Sequence, residues 1–251
     1  MSTEKATAIV LKVIEFSETS SICTLYTREF GKIQGLAKGA RRPKGPFESA
    51  LDLLSLCRVV FLRKSSDALD LLTEAKLERR FRPAENDLIS LYSAYYLAEL
   101  IGELADGYDP HPELFDAADA TLLALRTKGN AARWVLRFEI TMLRVLGHLP
   151  AFDVCAECGQ TIAPAARTPF AMLDGGAVCS ACRAGKKQVV SVSTAVLKTM
   201  KLFAETATEW QFVETDPKVY GELRGVLNKY ISHLLGHAPK MHKLLAGLAK
   251  E

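Results

Sequence analysis

Two Cys-x-x-Cys pairs constrain this chain more than any other feature. They are Cys155-Ala156-Glu157-Cys158 and Cys179-Ser180-Ala181-Cys182, with 20 residues between them. Each pair forms a tight turn that points two sulfurs at one ion, and the spacing suits a four-cysteine zinc site. Gly159 follows the first pair, where a positive φ closes such a turn; the second pair has Arg183 there. Between the pairs, the apolar residues 170–173 and 177–178 flank Asp174-Gly175-Gly176, a hairpin signal. A knuckle, a hairpin and a second knuckle describe a zinc-ribbon-like insert over about residues 150–190. Four thiolates complete a tetrahedral Zn2+ and leave no position for an activated water. Cys155, Cys158, Cys179 and Cys182 are therefore expected to hold one structural zinc ion. The competing reading, a redox pair, needs a single Cys-x-x-Cys at a helix start behind a strand.

Upstream of the insert the chain reads first as β and then as α. Ile9, Leu11 and Val13 alternate with Lys12, and Ile22, Thr24 and Tyr26 make a second short run. Phe30-Gly31-Lys32 reverses the chain into residues 33–37, and residues 56–62 form an apolar, β-branched strand. Leu69, Leu71, Thr73, Ala75 and Leu77 alternate with Asp70, Glu74 and Lys76, the two-residue period of a half-buried strand. Five short strands in so few residues predict a small closed barrel, of which the OB-fold is the common five-stranded form. Cys23 and Cys57 fall on strand patterns and read as small buried hydrophobes.

The period changes at Phe81-Arg82-Pro83, which places the domain boundary between residues 82 and 83. Leu88, Leu91, Tyr92, Tyr95, Leu100, Ile101 and Leu104 recur at helical spacing. Pro112 suits a helix's first turn, Asn130 an N-cap before Trp134, Phe138, Met142 and Val145, and Gly147 the stop. After the insert, Ser193 caps a helix to Ala204, and Asp216-Pro217 opens a last one to Leu235. The expected architecture is α+β: residues 1–82 a five-stranded OB-fold barrel that binds nucleic acid, residues 83–251 a helical domain carrying the zinc insert.

Net charge is only +3, so contact with a polyanion requires a local patch. One exists: Arg28, Lys32, Lys38, Arg41, Arg42 and Lys44 fall close together, with Glu29 the only acid among them. Glycines and prolines in residues 37–46 keep the central cations on a loop, suited to phosphate contacts that carry affinity without reading bases. Phe16, Tyr26, Phe30 and Phe47 offer stacking faces, although each taken singly reads more readily as core. Arg183, Lys186 and Lys187 form a second small basic run beside the second knuckle. They either extend the track or offset the negative charge of the thiolates.

Several function classes find no support. There is no Gly-rich phosphate loop ending in Lys-Ser/Thr, no HExxH and no GxSxG. His233 and His237 stand four apart without a carboxylate partner and read as a helix-surface pair. The apolar stretch after Asp87 is interrupted by Glu99 and Glu103, so no membrane span is expected. Lys12 and Glu15 break the first apolar segment, which argues against a signal peptide and for a cytoplasmic protein with reduced thiols. The expectation is a non-enzymatic binding protein. The alternative is a zinc-stabilised protein–protein adaptor that does not touch DNA directly.

The chain resembles the RecO family of bacterial recombination and repair mediators over essentially its whole length. The resemblance is carried by residues 8–12 (Ala-Ile-Val-Leu-Lys), Gly31-Lys32, residues 37–44 (Ala-Lys-Gly-Ala-Arg-Arg-Pro-Lys) and residues 146–150 (Leu-Gly-His-Leu-Pro). Residues 155–159 (Cys-Ala-Glu-Cys-Gly) and 230–236 (Tyr-Ile-Ser-His-Leu-Leu-Gly) complete it. It implies an OB-fold followed by a zinc-bearing helical domain, and binding to single- and double-stranded DNA with annealing of complementary strands. It also implies action with RecR to load the RecA recombinase onto strands coated by single-stranded-DNA-binding protein, whose C-terminal tail is a further partner. A nucleoid-associated location follows. Lys38, Arg41, Arg42 and Lys44 match the family's basic motif, and the four cysteines match its zinc site. This chain departs from the pattern at Gly45-Pro46-Phe47-Glu48, where relatives continue with serine and basic residues, which implies a weaker patch.

Overall fold

A computed structural model describes residues 2–42, 45–47, 50–64, 68–163, 165–205 and 208–248. The expected alternation produces five strands: β1 Ser2–Glu15, β2 Ser21–Thr27, β3 Gly31–Ala37, β4 Leu56–Arg63 and β5 Asp70–Arg79. They close into a barrel in the order β1-β2-β3-β5-β4. Closure depends on the length of β1. Its first half, Ser2 to Ile9, pairs antiparallel with β4, and its second half, Ala8 to Glu15, pairs with β2 after an irregularity between Val10 and Lys12. The seam between β3 and β5 is parallel and short, running from Gly35–Asp70 to Ala37–Leu72. This is the five-stranded, OB-fold-like barrel that the strand count predicts.

The inward positions are mostly small or aliphatic: Ala6, Ala8, Val10, Cys23, Leu25, Ile33, Ala37, Val59 and Ala75, with Phe47 and Phe61 filling the volume. Small residues are what a narrow barrel admits. A Cβ on Gly35 would lie 2.7 Å from the Leu72 side chain. Cys23 and Cys57 are fully buried, and burial pushes their thiols up to about 11 and about 12, so both are inert hydrophobes at neutral pH.

Two helices belong to the same compact unit as the barrel, which spans Met1–Val135 together with Lys243–Glu251. They are α1 Leu88–Leu104 and α2 Pro112–Ala124. Asp87 caps α1 by accepting from the Ser90 N–H at 3.2 Å, and Pro112 opens α2. The change of pattern at residues 81–83 therefore ends the barrel without ending the unit, because the helices are tied back to the strands by polar contacts. Arg79 pairs with Asp119, Arg28 with Asp116 at 2.9 Å, and the Tyr108 N–H donates to the Lys32 carbonyl at 3.0 Å. The link after α1 lies so close to β3 that a Cβ on Gly31 would sit 2.2 Å from the Asp109 carbonyl oxygen.

The second unit, Leu136–His242, contains most of helix α3 Ala131–Val145. Asn130 precedes α3 as expected, but its side-chain amide donates to the Ala124 carbonyl at 3.3 Å. Gly147 ends the helix at φ +77°, with the His148 N–H donating to the Leu143 carbonyl and the Gly147 N–H to that of Arg144, a Schellman closure. Strands β6 Arg167–Ala171 and β7 Gly176–Ala177 form the expected hairpin. A third strand, β8 Val189–Ser193, pairs with β6 and is not among the sequence expectations. Ser193 caps α4 Thr194–Ala204, and Asp216 caps α5 Pro217–Leu235, which stops at Gly236 with φ +76°. One more helix, α6 Lys240–Leu248, follows α5, so α5 is not the last. The unit is held by Phe170, Val192, Met200, Phe203, Leu223, Leu227 and Ile231, all buried, and by the fully buried Glu139 facing Arg224.

Candidate metal centre and nucleic-acid interface

In the second unit the two knuckles bring four sulfurs together. Those of Cys155, Cys158, Cys179 and Cys182 all lie within 4.8 Å of one another, with Cys158 and Cys179 4.0 Å apart. A tetrahedron with metal–sulfur bonds of about 2.3 Å has edges of about 3.8 Å, so the cluster needs only a small contraction to fit one ion. Among the described residues no other group of three or more potential ligands is close enough to hold a metal.

Local backbone geometry sets this up. The Gly159 N–H donates to the Cys155 carbonyl at 2.9 Å, and Gly159 takes φ +70°, the conformation the first turn requires. The second turn closes through the Arg183 N–H on the Cys179 carbonyl at 3.1 Å, and Gly185, two residues later, takes the left-handed conformation at φ +78°. Lack of a glycine directly after Cys182 is thus accommodated by one slightly downstream.

The electrostatics match a cation site. Backbone N–H groups, first that of Cys158 and then that of Cys179, pull the Cys155 thiol down to about 6. Cys182 is pushed up to about 12, first by its contact with Cys179 and then by that with Cys158. Four sulfurs this close cannot all ionise unless a positive charge sits among them, and a divalent metal supplies it. Lys186 has a structural task here: its ammonium pairs with Glu157 at 2.5 Å and with Asp174, joining the first knuckle to the hairpin turn. Both carboxylates raise its pKa, with Asp174 the larger influence. Arg183 and Lys187 are exposed.

The six cations of the first unit divide into three groups. Arg28 makes a two-point pair with Asp116, at 2.9 and 3.0 Å. The Lys32 ammonium is half-buried and donates to the Gly102 carbonyl at 2.7 Å, in the last turn of α1, where orphan carbonyls favour a cation. Desolvation holds its pKa below the usual value. Both side chains are thus engaged in holding helices to the barrel. Lys38, Arg41 and Arg42 are exposed and lie on the loop that leaves β3. Lys44 lies outside the described residues. A turn closed by the Arg42 N–H on the Gly39 carbonyl at 3.0 Å shapes this loop. The Arg41 N–H donates to the Thr19 carbonyl at 3.1 Å, and its guanidinium meets Glu15 at 2.9 Å, so the loop stands against the β1–β2 turn.

Of the four aromatics, Tyr26 and Phe47 are buried, and Phe30 packs edge-on against Phe61 with ring centroids 5.5 Å apart. Phe16 alone projects, 62% exposed. His233 is exposed near the end of α5, but His237 lies beyond the Gly236 cap and off the helix, so the two do not form the expected helix-surface pair. No helix among the described residues is long and apolar enough to cross a membrane.

Comparison with known proteins agrees with this arrangement. The family model for Recombination protein O N terminal matches residues 1–81, the barrel, and that for Recombination protein O C terminal matches residues 85–243. The DNA repair protein RecO of Rhodopirellula baltica is 39% identical, with 95% of this chain and 97% of the relative covered. Those of Myxococcus xanthus and Syntrophus aciditrophicus are 34% and 30% identical, covering 95% and 97% of this chain and 95% of each relative. With both family models matched in order, and with relatives aligned nearly end to end, the chain belongs to the RecO family of DNA repair proteins.

Proposed function

We propose that this protein is a non-enzymatic recombination mediator that binds single- and double-stranded DNA and anneals complementary strands. In this reading it acts with RecR to help load RecA onto strands coated by single-stranded-DNA-binding protein, whose C-terminal tail it engages. It works in the cytoplasm, at the nucleoid, with one structural Zn2+ held by Cys155, Cys158, Cys179 and Cys182. Family membership supports the partners, and four converging sulfurs support the metal. The observation that carries DNA binding is the exposed trio Lys38, Arg41 and Arg42 on one loop at the edge of the barrel. Lys44, next in sequence, completes the proposed phosphate track. Arg28 and Lys32 are left out of it because Asp116 holds the Arg28 fork at two points and the half-buried Lys32 ammonium is held at the α1 carboxyl end. Arg41, by contrast, meets the exposed Glu15 at one point.

Fluorescence anisotropy with labelled oligonucleotides over a salt series tests the proposal. Four phosphate contacts to a single strand give a slope of log K against log salt of about −3. Charge reversal at Arg41 and Arg42 together should remove most of the binding and of the annealing. Binding that is absent, or indifferent to salt, supports the adaptor reading instead. The engagement of three of the six cations, Arg28, Lys32 and Arg41, by the protein's own groups is the observation that favours that second reading.

A further inference from the structure

The end of β1 and the first residue of the β1–β2 turn expose apolar side chains beside an otherwise polar stretch, Ser17-Glu18-Thr19-Ser20. Val13 is 38% exposed and Ile14 46%, at the exposed C-terminal end of β1, and Phe16, just past that end, is 62% exposed. Ile14 pairs with Ile22, and Ile22 pairs with Leu36, so three aliphatic side chains form a row across the outer face of β1, β2 and β3. None of the three belongs to the barrel core. The outer face of strands 2 and 3, with the turn between strands 1 and 2, is where OB-folds generally bind oligonucleotides.

The cationic loop is fastened to this turn on both sides of Phe16. The Phe16 N–H donates to the Ser20 carbonyl at 2.9 Å, and Arg41 reaches the adjacent Thr19 carbonyl through its N–H. Its guanidinium reaches Glu15, the neighbour of Phe16 on the other side. The exposed Phe16 therefore belongs to the same turn that Arg41 grips at Glu15 and Thr19, with Lys38 and Arg42 on the gripping loop. A strand whose phosphates lie on these cations would present its bases toward the ring and the aliphatic row.

We propose that Phe16 is a base-stacking platform, floored by Ile14, Ile22 and Leu36, that makes this barrel prefer unpaired bases to duplex DNA. The inference rests on the proposed DNA-binding role and adds to it the residue that selects single strands. In a duplex the base faces are already stacked and the ring has nothing to meet, whereas in a single strand a base can settle on it. Stacking is insensitive to salt and phosphate pairing is not. The two contributions therefore separate in one titration: the aromatic sets the intercept and the cations set the slope.

The test uses the full chain and its Phe16→Ala, Phe16→Trp and Arg42→Ala variants, titrated into labelled oligothymidylate and into a duplex over a salt series. Phe16→Ala should weaken single-strand binding about 5- to 100-fold with the slope unchanged and duplex binding intact. Phe16→Trp should restore the affinity, with its added indole fluorescence quenched on binding. A Phe16→Ala protein that binds oligothymidylate like wild type, or that loses single-strand and duplex binding equally, overturns the stacking role. If the wild type binds and Arg42→Ala lowers the slope while Phe16→Ala does nothing, only the stacking role fails. If the wild type binds neither DNA in a salt-dependent way, the DNA-binding proposal fails and takes this one with it. Phe16 lies outside the core, and an unchanged thermal melt verifies that each variant is folded.

Discussion

Substitution of Lys32 by methionine separates a scaffold cation from a DNA-binding one. The ammonium donates at 2.7 Å to the Gly102 carbonyl, one of the last carbonyls of α1, and is half-buried there. Methionine keeps the aliphatic stem against the barrel but leaves that carbonyl without its donor. An unsatisfied, partly buried acceptor costs about 1–2 kcal/mol, because the substitution also removes the cost of desolvating a charge. For a chain of this size that lowers the melting temperature by about 2–8 °C. The same variant should leave the salt slope of DNA binding unchanged, whereas loss of a phosphate contact would make it shallower by about 0.7. Arg42→Ala should behave oppositely, with an unchanged melt and the shallower slope. Calorimetry and anisotropy on the same preparations read both quantities. A Lys32→Met protein with wild-type stability and a shallower slope would refute the assignment of Lys32 to the scaffold. There is also a pH signature. Desolvation holds the folded-state pKa of Lys32 below its ordinary 10.5, so the unfolded chain keeps this proton longer. The contribution of Lys32 to stability therefore rises with pH across the window just below 10.5, and Lys32→Met should lack that rise.

Gly31→Ala should destabilise the first unit by about 2–4 kcal/mol, since the new Cβ meets the Asp109 carbonyl and the residue sits at φ +67°. Its melting temperature should fall by about 5–15 °C, and an unaltered melt would count against the close approach of that link to β3. On the proposal of one Zn2+ per chain, Cys158→Ser should lower the zinc content read by elemental mass spectrometry and the cooperativity of melting; retention of both would remove the proposed structural role of the metal. Glu15→Gln frees Arg41 of a solvent-exposed partner and removes one negative charge beside the loop. Affinity for single-stranded DNA at low salt should rise by about 2- to 5-fold, an increase that fades as salt screens the charge.

Local pattern carried much of this molecule. Alternation in β1, β2 and β5, a reversal before β3 and the apolar β-branched run of β4 are all local signals, so the strands and the closed barrel are legible without coordinates. The cysteine turns are equally local, because two sulfurs three residues apart can reach one ion only through a tight turn, and Gly159 marks where it closes. What escaped reading lacked a local mark. Residues 189–193 form a strand only because β6 lies alongside, and their burial does not alternate. The docking of α1 and α2 on the barrel likewise leaves no local mark, since it rests on partners such as Asp116 and Asp119 that lie far along the chain from Arg28 and Arg79.

Charge shows the division most clearly. The sequence by itself determined that six cations gather around β3 and its following loop, that Phe16 lies near them in order, and that four cysteines fall in two pairs with metal-ligand spacing. Only the tertiary structure decided which cations are available. Arg28 meets Asp116 across 88 residues, Lys32 meets Gly102 across 70, and Lys186 meets Asp174 across the hairpin. Periodicity reports burial because each side chain's distance from the core follows from its own position in a helix or strand. A charge's partner lies wherever the rest of the chain comes to rest, and that is a property of the folded molecule alone.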